Sequence, residues 1–276
     1  MMTTIAHKTL RWPTRRQAAV APSLDRLHLW RRLLLASCIL GTSVAGFAQA
    51  RVYVPAVPPD SNSAAYAAPR DEWLITVQNK FDKYSGKHAD ILFDGDSITN
   101  RWEITGKAVW DAKFAGRAAD FGIEGDRTEN LLWRLSKGQV TGVDPKLVVL
   151  MIGTNNVVRN TSGEIASGVE AIVSQYETLC PSAHIILMSV FPRGRTPSDP
   201  NRMKLAEVNQ ALATRFTETT DPRVTLVDIS SRLTQHDGTI STDMMPDMLH
   251  PAADGYRIWA DALQPYVDKY APIAAK

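Results

Sequence analysis

Ile91-Leu92-Phe93-Asp94-Gly95-Asp96-Ser97-Ile98-Thr99 is a short apolar run that stops abruptly at Gly-Asp-Ser. A brief β-branched and aromatic run bounded by turn residues reads as a buried strand. In an open α/β sheet, ligands bind beyond the carboxyl ends of such strands. Ser97 stands at that edge and reads as a nucleophile. A serine hydroxyl is weak alone, so the reading requires a histidine base, a group that orients the histidine, and donors for a developing oxyanion.

Working outward, the runs that alternate with helical patterns set the fold class. Ala118 to Ile123 reads as a second strand, and Lys146 to Ile152 as a third that is apolar throughout. His184 to Val190 and Val224 to Val227 read as the fourth and fifth. Strands apolar on both faces belong to parallel sheets covered by helices. Helical spacing falls over Trp73 to Phe81, from Leu131 to Leu135, over 163–179, over Met203 to Thr217, and from Asp254 onward. Five strands alternating with helices predict an α/β fold with all strand ends on one side.

Two of those ends carry polar groups suited to an oxyanion. Glu124-Gly125-Asp126 follows the second strand, and Asp126 with Glu129 resembles a capping box that places Gly125 just before a helix start. Amide N–H groups there lack partners, and glycine leaves them open to approach. Gly153-Thr154-Asn155-Asn156 follows the third strand, where the Asn155 side chain can donate into the site. Taken alone, Gly125 is an ordinary turn glycine and Asn155 an ordinary cap. Their shared edge with Ser97 favours the functional reading. Arg193 and Arg195, in the loop after the fourth strand, read as solvated.

Asp247-Met248-Leu249-His250-Pro251 supplies the remaining groups. A spacing of three lets Asp247 accept the Nδ1 proton of His250 and leave Nε2 to take the proton of Ser97. The other five histidines are worse placed: His7 and His28 lie in the leader, His88 precedes the first strand, His184 starts the fourth, and His236 sits in a polar loop.

Composition narrows the remaining classes. The net charge is +2, but residues 1–50 hold seven Lys and Arg against Asp25 alone, so the rest of the chain is at −4. No basic face is left to follow phosphates, which argues against a nucleic-acid partner. Arg31-Arg32, the apolar run Leu33 to Phe47 and Ala48-Gln49-Ala50 form a leader with a small-x-small site, so cleavage after Ala50 and a periplasmic or secreted product are expected. The run is too short and too interrupted to favour a retained span, and Cys38 lies too early in it to fit a lipoprotein box well. Residues 51–69 are rich in Pro, Ala and Ser and read as a linker, with one domain over 70–276. After cleavage only Cys180 remains, read as a buried inert thiol. No metal site and no cofactor are implied.

Four blocks in this order, Gly95-Asp96-Ser97-Ile98, Gly122 to Asp126, Gly153 to Asn156 and Asp247 to Pro251, resemble the SGNH hydrolases, the GDSL-type esterases and lipases. Arg127 to Leu135 is similar to the branch containing the catalytic subunits of platelet-activating factor acetylhydrolase. The resemblance implies a flavodoxin-like three-layer α/β/α sandwich with strand order 2-1-3-4-5. It also implies Ser97 as nucleophile, His250 as base and Asp247 as its partner, and the Ser97 amide, Gly125 and Asn155 as oxyanion donors. Glu124 departs from that branch, which usually has glycine there. The expected activity is hydrolysis of a small ester or an acetylated glycan. A lysophospholipase, a thioesterase, a transacylase and a catalytically silent glycan-binding protein are the alternatives. Oligomeric state is left open.

Overall fold

The computed structural model describes residues 62–273. The leader and its cleavage site at Ala50 lie outside the described residues. Five parallel strands, β1 (Ile91–Gly95), β2 (Ala118–Asp120), β3 (Leu147–Met151), β4 (His184–Met188) and β5 (Val224–Val227), pair in the order β2-β1-β3-β4-β5. This is the expected α/β sandwich. The second strand is shorter than its apolar run and ends at Asp120. The Phe121 and Ile123 amides still donate to the carbonyls of Phe93 and Gly95, which carries the chain along β1 to the sheet's edge.

Side-chain alternation along the strands divides the core in two. Leu92, Val148, Leu150, Ile185 and Leu187 face one side, against α1 (Leu74–Tyr84), α4 (Thr128–Ser136), α5 (Ser162–Leu179) and α6 (Pro200–Arg215). Ile91, Phe93, Leu147, Val149, Met151, Ile186 and Met188 face the other, against α3 (Lys107–Lys113) and α7 (Ala253–Tyr270). Period-2 burial on both faces is what a covered parallel sheet requires. Each fully buried Leu, Ile or Phe in these layers contributes roughly 1.5–3 kcal/mol of transfer free energy.

The second layer carries an aromatic cluster that bears on the position of Ser97. Trp102 packs edge-on to Phe93, Phe114 and Tyr256, with ring centroids 4.8–5.7 Å apart. The Tyr256 hydroxyl donates to the Ile98 carbonyl at 2.7 Å, which fastens α7 to the turn of helix bearing Ser97. Cys180 is buried, and burial pushes its thiol up to about 11, as an inert structural cysteine requires.

Two local readings are corrected. The capping box at Asp126 and Glu129 does not form: α4 begins at Thr128, and the Asn130 side chain reaches back to accept from the Arg127 amide at 3.0 Å. Burial takes both carboxylates elsewhere, Asp126 to Arg134 at 2.8 Å and Glu129 to Arg127 and Asn156. The second concerns residues 62–69, which by composition belong to a linker. They pack on α4 and α5, with Ala64 fully buried and the Ala68 amide donating to the Glu129 carbonyl.

Candidate active site

Ser97 opens α2 (Ser97–Asn100), a single turn of helix that follows β1 after one residue. Asp96 caps it, its Oδ1 accepting from the Ile98 amide at 2.9 Å. Gly95 is required at the bend, because a Cβ there would collide with the Met151 carbonyl and Thr99 Oγ1. Ser97 is 7% exposed, and its amide, first in the helix, has no carbonyl a turn earlier to bond.

His250 and Asp247 come from the loop before α7. Ser97 Oγ lies 2.9 Å from His250 Nε2, and His250 Nδ1 lies 2.6 Å from Asp247 Oδ2. The other Asp247 oxygen accepts the amides of His250 and Leu249 at 2.8 and 3.1 Å. Met248 pays for this tight turn with φ of 60°, a conformation that costs a non-glycine residue about 1–3 kcal/mol and is typical of functional loops. Partial burial would raise the Asp247 pKa, but the His250 amide and imidazole outweigh it and hold the carboxyl down at about 2. A carboxylate that accepts Nδ1–H leaves Nε2 as the acceptor facing Ser97.

The two expected oxyanion residues occupy neighbouring loops. Gly125 is the third residue of a turn closed by Asp126 N–H to Ile123 O at 3.2 Å, with φ of +72°. That turn does not use the Gly125 N–H. Asn155 lies in a 3₁₀ turn (Thr154–Asn156) after β3, and its Nδ2 donates to the Asp126 carbonyl at 2.9 Å. One of its two amide hydrogens is thereby fixed, which orients the other. Glu124 lies beside Gly125, its carboxylate half-exposed and 3.8 Å from Arg101 Nε.

Arg193 departs from the solvated reading. It is half-buried and donates through Nη1 to the Thr154 carbonyl at 3.0 Å, while the next amide, Gly194, donates to Met248 O at 2.8 Å. These two bonds join the Asn155 turn to the histidine loop. Arg195 is exposed, as expected.

Sequence reading missed the polar cluster beneath these loops. Arg134 of α4, 1% exposed, donates to Asp94 of β1 at 3.0 Å as well as to Asp126. Gln139 and the Tyr176 hydroxyl also bond Asp94. Asp94 and Asp126 are one and two residues from Gly95 and Glu124, so the cluster ties the strand that leads to Ser97 to the Gly125 turn. Among the described residues no three His, Cys, Asp or Glu side chains gather to hold a metal ion, and no helix is long and apolar enough to cross a membrane.

Comparison with known proteins agrees with this architecture. Residues 93–258 match the GDSL-like lipase/acylhydrolase family. The human platelet-activating factor acetylhydrolase IB subunit alpha2 is 38% identical over 204 residues, 71% of this chain and 86% of that protein. The rat alpha1 subunit is 34% identical over 171 residues, 62% of this chain and 71% of its own. The fold is shared with a GDSL-like lipase from Bacteroides thetaiotaomicron (TM-score 0.55, 19% identity, 75% of this chain and 94% of that one). It is shared too with an acetylxylan esterase from Geobacillus stearothermophilus (TM-score 0.52, 20% identity, 70% and 99%). The chain therefore belongs to the GDSL-like lipase/acylhydrolase family and is a carboxylic ester hydrolase.

Proposed function

We propose that Ser97, His250 and Asp247 act as a catalytic triad that removes short acyl groups, acetyl above all, from an alcohol such as a glycan hydroxyl. The observation that carries the reading is the continuous chain from Ser97 Oγ through the imidazole to Asp247, at 2.9 and 2.6 Å. Ser97 Oγ attacks the ester carbonyl while its proton passes to Nε2. The tetrahedral oxyanion accepts from the amides of Ser97 and Gly125 and from Asn155 Nδ2. As the ester C–O bond breaks, Nε2–H protonates the leaving alkoxide. Water then attacks the acyl carbon as it gives a proton to Nε2, and when the acyl–Oγ bond breaks Nε2–H returns that proton to Ser97 Oγ and the carboxylic acid leaves. Asp247 stays ionised throughout and stabilises the imidazolium.

The short-acyl preference is supported by the acetylhydrolase names of the relatives and by an acetylxylan esterase of the same fold. The leader favours export with cleavage after Ala50, which would put the enzyme in the periplasm or outside the cell, where acetylated glycans are met. Intact mass of the exported protein tests the cleavage.

The deciding experiment combines an acyl-chain series with Asn155→Ala. Turnover is expected to fall as the acyl chain lengthens from acetyl. The variant is expected to lose about 10²–10³ in kcat, the usual cost of one oxyanion donor. A rate that rises with chain length would replace the acetyl assignment by lysophospholipase or thioesterase chemistry. Wild-type turnover in the variant would remove Asn155 from the mechanism.

A further inference from the structure

The segment ahead of α1 reaches both donor-bearing loops. Ala64 is fully buried, and Gly168 of α5 makes room for it: a Cβ there would lie 2.5 Å from the Ala64 carbonyl. Asn62 Nδ2 donates to Glu164 O at 2.9 Å, and Asn160 Nδ2 donates to Ser63 Oγ at 2.8 Å. Asn160 in turn accepts from Asn156, the neighbour of Asn155, at 3.1 Å. Further along, Asn130 Nδ2 donates to the Ala68 carbonyl at 3.0 Å. The segment is thus anchored on α4 and α5 before it arrives at Arg70.

Arg70 meets the turn that holds Gly125. Its Nη1 donates to the Glu124 carbonyl at 3.0 Å and lies 3.9 Å from Asp126 Oδ1. A Cβ on Gly125 would lie 2.6 Å from the same nitrogen, so the guanidinium rests directly against this residue. Its side chain is 17% exposed, and the guanidinium stacks 5.1 Å from the Trp73 ring.

The consequence follows from peptide geometry. The Glu124 carbonyl and the Gly125 N–H belong to one planar trans peptide unit and point in opposite directions. Positive φ at Gly125 marks a turn in which that unit, flanked by glycine, has little steric resistance to flipping. A flip would turn the N–H away and present a carbonyl oxygen to the developing anion. A guanidinium on the carbonyl opposes the flip, and by polarising the amide it strengthens the N–H as a donor.

We propose that Arg70 is a positioning residue for the oxyanion donor: by holding the Glu124 carbonyl it fixes the Glu124–Gly125 peptide in the orientation that turns the Gly125 N–H toward the reacting ester. This rests on the assignment of Gly125 as a donor. Arg70 touches no reacting atom and acts through the peptide it holds.

The test is steady-state kinetics of full-length Arg70→Ala and Arg70→Lys on a simple acetyl ester, with Ser97→Ala and Asn155→Ala alongside. Arg70→Ala is expected to lower kcat about 10- to 100-fold, part of the value of a whole donor, with KM within about twofold of wild type. Arg70→Lys, which can still donate to the carbonyl, is expected to retain most of kcat. Guanidinium ion at millimolar concentration is expected to raise the rate of Arg70→Ala but not of Asn155→Ala. Circular dichroism through thermal unfolding gives the folded fraction at the assay temperature. Wild-type kcat in Arg70→Ala would overturn the proposal, and so would a loss that tracks the unfolded fraction and does not respond to guanidinium. If Ser97→Ala remained active, the triad reading itself would fall. If Ser97→Ala is dead while Arg70→Ala is fully active, only the role of Arg70 is lost.

Discussion

Two groups of carboxylates stand within a few residues of Ser97, Gly125 and His250, and the protein treats them in opposite ways. Asp94 and Asp126 are buried beneath the loops and share Arg134. Asp247 stands at the rim with its side chain half-exposed, held by two amides and the imidazole. Burial pushes Asp126 up to about 6 against the pull of Arg134, whereas hydrogen bonds hold Asp247 down at about 2. A carboxylate at the rim can keep its charge from water and local N–H groups while its partner stays mobile enough to exchange protons. One in the interior depends on a fixed counter-charge. The first arrangement suits chemistry, and the second suits the geometry of a backbone.

The comparison breaks first at Asp247. Asp247→Asn replaces an acceptor facing Nδ1 with a group that can donate, which favours the wrong tautomer of His250. The expected loss is about 10⁴ in kcat. Stability is expected to change little, because an exposed ion pair contributes about 0–1 kcal/mol. Stopped assays on an acetyl ester and a urea unfolding curve measure the two quantities. A variant as active as wild type would separate Asp247 from the chemistry.

Arg134→Met tests the other side. Losing the guanidinium leaves Asp94 without its counter-charge and Asp126 with only Arg70 at 3.9 Å, and breaking such a buried pair typically costs about 3–5 kcal/mol. The unfolding midpoint in urea is expected to fall accordingly. The variant that remains folded is expected to retain the Ser97–His250 contact, so phosphonate labelling of Ser97 should persist. An unchanged midpoint would mean that Asp94 and Asp126 do not need Arg134.

These two carboxylate groups also mark what could be read in advance. The gathering of Ser97, Gly125 and Asn155 at one sheet edge was legible because each follows an apolar run, and the pairing of Asp247 with His250 because the two lie three residues apart. Asp94, Arg134, Gln139 and Tyr176 meet only through the tertiary fold, and an arginine in a helix such as α4 carries no local sign of burial. Asp126 was misread for the same reason: three residues from Glu129 it satisfies a capping pattern, but a buried guanidinium competes for it more strongly than amides at a helix start. The tail of the linker was misread because Ala and Ser suit a mobile chain and a close-packed strap equally well. Only the glycine of α5 opposite Ala64 distinguishes them.

The smallest expected effect sharpens the comparison next to Ser97. Asp96 is 1% exposed; its Oδ1 caps α2 while its Oδ2 is buried without a hydrogen-bond partner among the described residues. Burial raises its pKa to about 7, and the nearby Asp126 adds to the rise against Arg193. A folded pKa above the unfolded value near 3.8 means that the neutral form favours folding. The corresponding stability is complete below about pH 4 and is lost as pH climbs through 7. Asp96→Asn keeps an N-cap acceptor and cannot ionise. Its Tm is therefore expected to decline less between pH 5 and 8 than that of wild type, with the residual slope due to Asp120 and Asp126, which burial also raises, to about 7 and about 6. If Asp96→Asn lost stability over this range as steeply as wild type, Asp96 would have to be ionised throughout, held like Asp247 by its hydrogen bond and the Arg193 charge. The contrast between interior and rim carboxylates would then stop short of the residue beside Ser97.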